Sequence, residues 1–283
     1  MSGPFKGVGL ASPLLLVLLG LFLAPVLLML PQSLHEYIPG TGTSEAWTLQ
    51  NYTRLLTDDY YREIIGRTLW MGSLVTFLCF LLGYPLAYFM ARTTPAWRAA
   101  ATLLVIFPLF LNLVVRSFGW ITLLANRGVV NNLLMDIGLI DSPIKMLFNM
   151  TGLVIGLTHI YLPFMVLMLL TAIQNVPRDV EQAAATLAAS KLRIFFTITL
   201  PLTAPGILAG SILVFVLTIS ALVTPRLLGG PAYKVMATLI YDEFMQKLDW
   251  PSGTSFAFIL TAITLLIIWG AGRVARKWSG GLA

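Results

Sequence analysis

The stretch Asn175-Val176-Pro177-Arg178-Asp179-Val180-Glu181-Gln182-Ala183-Ala184-Ala185-Thr186-Leu187-Ala188-Ala189-Ser190-Lys191-Leu192-Arg193-Ile194-Phe195-Phe196-Thr197-Ile198-Thr199-Leu200-Pro201 joins two apolar runs, Gly152–Thr171 and Ala204–Val223. Each run is close to the roughly 20 residues a helix needs to cross the hydrocarbon core of a bilayer. Pro177 at a first turn, followed by Asp179 and an alanine run, predicts a helix start. Alanine has the highest helix propensity and almost no side chain, so this short helix presents a smooth surface that another protein can approach closely. Beyond it, Leu192, Phe195, Phe196 and Leu200 recur at helical spacing, with Lys191 and Arg193 between them. Pro201 and Pro205 end the segment.

Outward from this stretch the chain is built for lipid. Of 283 residues, 58% are hydrophobic and 11% charged, with a mean hydropathy of +0.86. A soluble domain carries about a quarter charged residues to solvate its surface. Six segments read as transmembrane helices: Leu10–Leu30, Leu69–Met90, Ala99–Ala125 (interrupted by Pro108 and Arg116), Gly152–Thr171, Ala204–Val223 and Thr254–Trp269. The first follows Lys6 as a signal peptide would, but it is long for one and lacks a small-x-small cleavage site, so it is read as a retained span. The expectation is one all-α transmembrane domain over residues 1–283, with no internal repeat and no second domain.

Six spans place both termini on one side. Basic residues divide evenly between the two sides, but those on the side of the termini and of 177–201 crowd into shorter connections, where the positive-inside rule applies. Both termini are therefore expected in the cytoplasm. The outer connections, Pro31–Arg67, Asn126–Met150 and Pro225–Pro251, are long enough to carry short helices and to dock a soluble partner.

The net charge of +6 is scattered, with no arginine-rich run to track phosphates, so nucleic acid is not an expected partner. Cys79 is the single cysteine and there are two histidines. That inventory predicts no disulfide, no metal site and no cofactor, with Cys79 as a small apolar packer. His35 and His159 fall in distant segments, and no catalytic constellation of Ser, His and Asp or of Cys and His converges.

The 175–201 stretch resembles the EAA loop of binding-protein-dependent ABC importers: Glu-Ala-Ala, two variable residues, Leu-Gly-Ala-Ser, a basic-aromatic helix, Leu-Pro and a Pro-Gly. The matching positions are Gln182-Ala183-Ala184, Leu187-Ala188-Ala189-Ser190, Phe195, Leu200-Pro201 and Pro205-Gly206. The resemblance implies that this loop is a coupling helix seated in a groove of a cytoplasmic ATPase, through Glu181, Gln182, Ala183, Ala184, Leu187, Ala188, Ala189, Ser190, Lys191 and Phe195. Two positions depart from the pattern. Gln182 stands where glutamate is usual, with Glu181 adjacent, and Ala188 stands where glycine is usual. Alanine in a left-handed conformation there would cost about 1–2 kcal/mol.

Further segments are similar to the PotB-type permeases of spermidine/putrescine importers, over roughly Leu49–Gly272. They are Gly83-Tyr84-Pro85-Leu86-Ala87-Tyr88, Arg116-Ser117-Phe118-Gly119-Trp120, Gly128 with Asn131, Leu162-Pro163-Phe164-Met165, Leu228-Gly229-Gly230 and Asp249-Trp250-Pro251. This likeness implies the type I ABC importer permease fold in a bacterial inner membrane. The implied partners are a second, PotC-like permease, two ATPase subunits and a periplasmic binding protein carrying a polyamine. Relatives of this architecture also import iron(III), opines and phosphonates.

No Asp or Glu falls inside the six spans, whereas a cation held in mid-membrane usually meets a buried acid. Aromatic faces substitute in part by cation–π contact. The candidate solute path is Arg116, Phe118, Trp120, His159, Tyr161 and Phe164. Gly152/Gly156 and Gly206/Gly210 are GxxxG pairs that permit close helix approach. An ion-coupled secondary transporter would show inverted repeats and intramembrane acids; neither is found. The chain also has no Gly-x-x-x-x-Gly-Lys-Ser/Thr phosphate loop, so any ATPase is expected on another polypeptide.

Overall fold

The computed structural model describes residues 4–279. The side chains of Lys6, Arg276 and Lys277, three of the basic residues behind the expected orientation, lie outside the described residues. The chain is helical apart from one hairpin. In order it runs α1 (Pro4–Ser33), β1 (His35–Ile38), β2 (Gly42–Trp47), α2 (Gln50–Thr57), α3 (Asp59–Arg92), α4 (Pro95–Ile106) and a 3-10 turn (Phe107–Phe110). Then come α5 (Leu113–Leu124), α6 (Val129–Asp136), α7 (Met150–Gln174), α8 (Arg178–Thr186), α9 (Lys191–Ile194), a π-turn (Phe195–Thr199), α10 (Leu200–Leu202) and α11 (Ala204–Ile219). A π-turn (Pro225–Gly229), α12 (Met236–Asp242), a third π-turn (Glu243–Lys247) and α13 (Trp250–Ser279) complete it.

Among the described residues five helices are long and apolar enough to cross a membrane: Leu16–Ser33, Asp59–Arg92, Leu113–Asp136, Met150–Gln174 and Trp250–Arg273. A sixth span forms if Lys191–Leu202 and Ala204–Ile219, bent by 64°, count as one. The third expected span, 99–125, is not one helix. Pro108 has no N–H for the ladder, the chain tightens into the 3-10 turn, and Asn112 restarts it by accepting from Val114 N at 2.8 Å. The fifth expected span stops at Ile219 instead of Val223, and helix α3 begins ten residues before the expected Leu69.

Two compact units divide the chain. The first holds residues 1–62 and 239–261. Within it α1 exposes Leu16, Leu21, Phe22 and Leu28, the profile of a helix solvated by lipid. Its end is tied down by polar contacts: Ser33 Oγ meets the Tyr52 hydroxyl at 2.7 Å, and Asn51 Nδ2 donates to the carbonyls of Ser33 (3.1 Å) and His35 (2.8 Å). The hairpin pairs His35 with Trp47 and Ile38 with Gly42, turning through Gly40 at φ +89°. It was not foreseen in Pro31–Arg67. Tyr61 packs on Phe256 with ring centroids 5.1 Å apart. Asp249 caps α13 by accepting from Ser252 N at 2.9 Å.

The second unit holds residues 63–238 and 262–283. Its centre is α7, most of which is buried against α3 and α11 with Met71, Val75, Cys79, Leu157, Met165, Leu169 and Val214 in the core. Cys79 is buried, its Sγ 3.5 Å from the Thr158 carbonyl. Gly206 and Gly210 let α11 lie against α7: a Cβ at Gly206 would fall 2.1 Å from Ala172 Cβ, and one at Gly210 2.9 Å from Met165 Sδ. Fully buried Asn131 donates to the carbonyls of Ala125 and Ile144, both at 3.0 Å, and accepts from Ile144 N at 2.9 Å. One side chain thereby closes the loop between α6 and α7.

Candidate functional site

The segment 175–201 folds as α8 and α9 with a left-handed turn between them, then the π-turn Phe195–Thr199 and the start of α10. Pro177 precedes α8, and Asp179 and Glu181 sit in its first turn, where negative charge meets the positive end of the helix dipole. The helix ends in a Schellman turn: Ala188 N donates to Ala185 O at 3.0 Å and Ala189 N to Ala184 O at 3.3 Å. Ala188 occupies the left-handed position at φ +59°. The strain foreseen for an alanine here is therefore present. Ser190 then caps α9 by accepting from Arg193 N at 3.3 Å.

Glu181 faces inward. Its Oε1 accepts from Arg92 Nη2 at 2.6 Å and from Thr199 Oγ1 at 2.8 Å. Both charged side chains are about five-sixths buried, with relative exposures of 17% and 16%. Arg92 ends α3, a favourable place for a cation, and its guanidinium carbon lies 6.0 Å from the Tyr88 ring centroid. Arg178 Nη2 reaches the carbonyl of Ala91 at 3.5 Å, and Arg98 donates to Met90 O (3.0 Å) and Ala91 O (3.1 Å). Phe195 stands edge-on to Tyr84 and Tyr88, and the Tyr84 hydroxyl meets Thr203 Oγ1 at 2.9 Å beside the bend into α11. Two of the ten residues implied by the resemblance, Glu181 and Phe195, thus bind the chain to itself. Gln182, Ala183, Leu187, Ala188, Ser190 and Lys191 are exposed, while Ala184 and Ala189 are half-buried.

The exposed side chains are mixed, with Arg178, Gln182, Lys191 and Arg193 among apolar ones. Leu187 is 84%, Leu192 72% and Phe196 60% exposed, and Val180 is exposed as well. Leu192 and Phe196 were read as part of a helical pattern without a role. Arg92 and Thr199 were missed altogether, because nothing local pairs residues 89 and 18 positions from Glu181.

The path candidates gather on α5 and α7. Trp120 Nε1 donates to His159 Nδ1 at 3.2 Å, and the two rings border a cleft of about 320 Å³ with Thr158, Leu78, Leu82 and Leu162. Arg116 lies one turn before Trp120, close enough to Tyr161 and His159 to interact electrostatically. Its Nε and Nη1 are buried without a hydrogen-bond partner among the described residues. Tyr161 packs against Phe164 at 6.4 Å between centroids. Phe118 stands apart: it is 53% exposed, two residues on from Arg116 and so on another face of α5. No group of three or more His, Cys, Asp or Glu able to hold a metal occurs among the described residues.

Apolar helices with a short helix pair, α8 and α9, between α7 and α11 match a class of protein, the transmembrane subunits of ABC importers. A chain of the bacterial ABC transporter involved in the import of the acidic polysaccharide alginate superposes with a TM-score of 0.75, covering 96% of this chain and 98% of that one at 19% identity. The chain belongs to the family of binding-protein-dependent transport system inner membrane components, which matches residues 80–280. The spermidine/putrescine transport system permease protein PotB of Escherichia coli (strain K12) is 37% identical over 234 residues, 82% of this chain and 85% of that protein. PotB of Haemophilus influenzae is 34% identical over 221 residues, 78% of this chain and 77% of that protein.

Proposed function

We propose that this permease forms half of the pathway of an ATP-driven importer and receives a small amine-bearing solute, of the spermidine and putrescine class, from a periplasmic binding protein. The other half is a second, PotC-like permease. ATP is hydrolysed by two separate cytoplasmic subunits, and both termini and segment 177–201 face the cytoplasm. The observation that carries this reading is α8: it is anchored to its own chain through Glu181 and turned at Ala188, which leaves Leu187, Leu192 and Phe196 exposed just after it. These exposed apolar side chains, with Gln182, Ala183 and Lys191 also exposed, suit a groove in a partner.

In this mechanism ATP binding closes the ATPase pair and moves α8. The Glu181–Arg92 link carries that displacement to the end of α3, and the Phe195 contacts with Tyr88 and Tyr84 carry it to the same helix one and two turns deeper. The cavity then opens outward to take solute from the docked binding protein.

The coupling part is tested by disulfide cross-linking from Leu187→Cys to cysteines placed in the ATPase groove. Buried Cys79, the chain's single cysteine, gives little background. Intact transport without any cross-link would remove the assignment. The solute part is tested by ATPase stimulation of the reconstituted complex with binding protein loaded in turn with putrescine, spermidine, iron(III) or an aminophosphonate. A response to a polyamine is expected.

A further inference from the structure

We propose that a groove between α1 and α13 is a binding site for one membrane phospholipid, which lays an acyl chain in the groove and accepts a hydrogen bond from Thr254 through an ester carbonyl. The groove lies wholly within the first unit and consists of two clefts that share Met29. The deeper one, about 160 Å³, is lined by Val26 and Met29 of α1, Phe244 of the third π-turn, and Thr254, Ala257 and Phe258 of α13. The shallower one, about 390 Å³, is bordered by Leu28, Gln32 and Trp250. The groove is therefore apolar along its depth and polar at its mouth, as a lipid is. Of the α1 window Leu16–Ser33 only 6% is buried, so a chain wedged beside Val26 and Met29 would also hold α1 to α13.

Thr254 is the polar point of the site. It is 1% exposed, lines the deeper cleft, and its Oγ1 meets no hydrogen-bond partner among the described residues. Other threonines of these helices turn the hydroxyl onto the carbonyl one turn back: Thr261 bonds Ala257 O at 2.8 Å, and Thr68 and Thr218 bond Ile64 O and Val214 O at 2.7 Å. Thr254 does not bond Trp250 in this way. A buried hydroxyl left unpaired costs about 1–3 kcal/mol. It has one O–H to donate, and a glycerolipid ester offers acceptors and no donor. The depth agrees. Trp250 opens α13 and is 46% exposed, and tryptophan settles at the headgroup level of a bilayer. Thr254 lies one turn further in, about 6 Å along the axis, where esters join the acyl chains. Under the orientation proposed above this is the outer leaflet. A helix of the second permease is about 10–12 Å across, too wide to enter a cleft of about 160 Å³. A single hydrocarbon chain is not.

The experiment uses the assembled importer, purified in mild detergent, with phosphatidylethanolamine added in diester or diether form and bound lipid counted by native mass spectrometry. A photo-reactive benzoylphenylalanine in place of Met29 reports what fills the groove. The expected results are a phospholipid adduct at position 29 and the loss of one bound phospholipid per complex in Ala257→Leu, which fills the deeper cleft. The unmodified complex should retain the diester several-fold better than the diether, and Thr254→Val should abolish that preference. Thr254→Val keeps the side chain's shape, and in an empty groove it would only remove an unpaired hydroxyl, leaving lipid content unchanged. An adduct to the second permease in place of lipid overturns the proposal. So does equal retention of the two lipid forms by the unmodified complex, or a lipid count that neither variant changes. Should Ala257→Leu fail to assemble, the adduct and Thr254→Val decide by themselves. Solute uptake enters none of these measurements, so the importer reading stands or falls separately.

Discussion

Arg92 and Glu181 meet at 2.6 Å, closing the C-terminal turn of α3 against the first turn of α8. The pair is mostly buried, and Glu181 is further held by Thr199. Removing one partner of a buried pair costs about 3–5 kcal/mol because it strands the other, and residual exposure here reduces that toward about 2 kcal/mol. Arg92→Ala and Glu181→Gln should each lower thermal stability of the complex and cut ATP-driven uptake several-fold. The exchange Arg92→Glu with Glu181→Arg should recover part of both. Strictly additive losses in that double-mutant cycle would show that the contact transmits nothing.

Ala188 invites the opposite experiment. Its left-handed backbone costs about 1–2 kcal/mol, while glycine adds roughly 0.4–1 kcal/mol of unfolded-state entropy. The difference favours Ala188→Gly by up to about 1.6 kcal/mol. A higher melting temperature for Ala188→Gly and a lower one for Ala188→Val are expected. The reverse order would mean that the turn is not left-handed.

At the α7–α11 contact, Gly206→Ala sets a methyl group 2.1 Å from Ala172 Cβ. Overpacking of this kind costs typically 1–3 kcal/mol. Ala172→Gly on the facing helix should rescue the variant, measured by thermal stability in detergent and by uptake. No rescue would place the helices in another register.

Asn131→Ala strands two carbonyls and one N–H in a fully buried site. At about 1–3 kcal/mol for each unsatisfied group, the loop between α6 and α7 should open. Proteolysis near Pro143 should accelerate, with Asn131→Asp affected as well because it loses the two donors.

The spans, the polar segment between the fourth and fifth, and the strain at Ala188 were legible because each depends on local rules. Hydropathy is read over about 20 consecutive residues, and a left-handed turn is a property of one backbone position. The hairpin His35–Trp47 was not legible, since strands of four and six residues lack a strong alternation of apolar side chains. Nor was the break at Leu111–Asn112 placed, although Pro108 marked its neighbourhood.

What the amino-acid order determined by itself was the solvent this chain folds in, most of its apolar helices and the polar segment between the fourth and fifth of them. Tertiary structure alone decided that Glu181 turns inward to Arg92 while Gln182 and Leu187 stay outside, and that Trp120 meets His159. The reason is physical. Insertion into lipid follows from summed local transfer energies, whereas the pairing of charges far apart in sequence follows from which helix ends the packing of α3, α7 and α11 brings together.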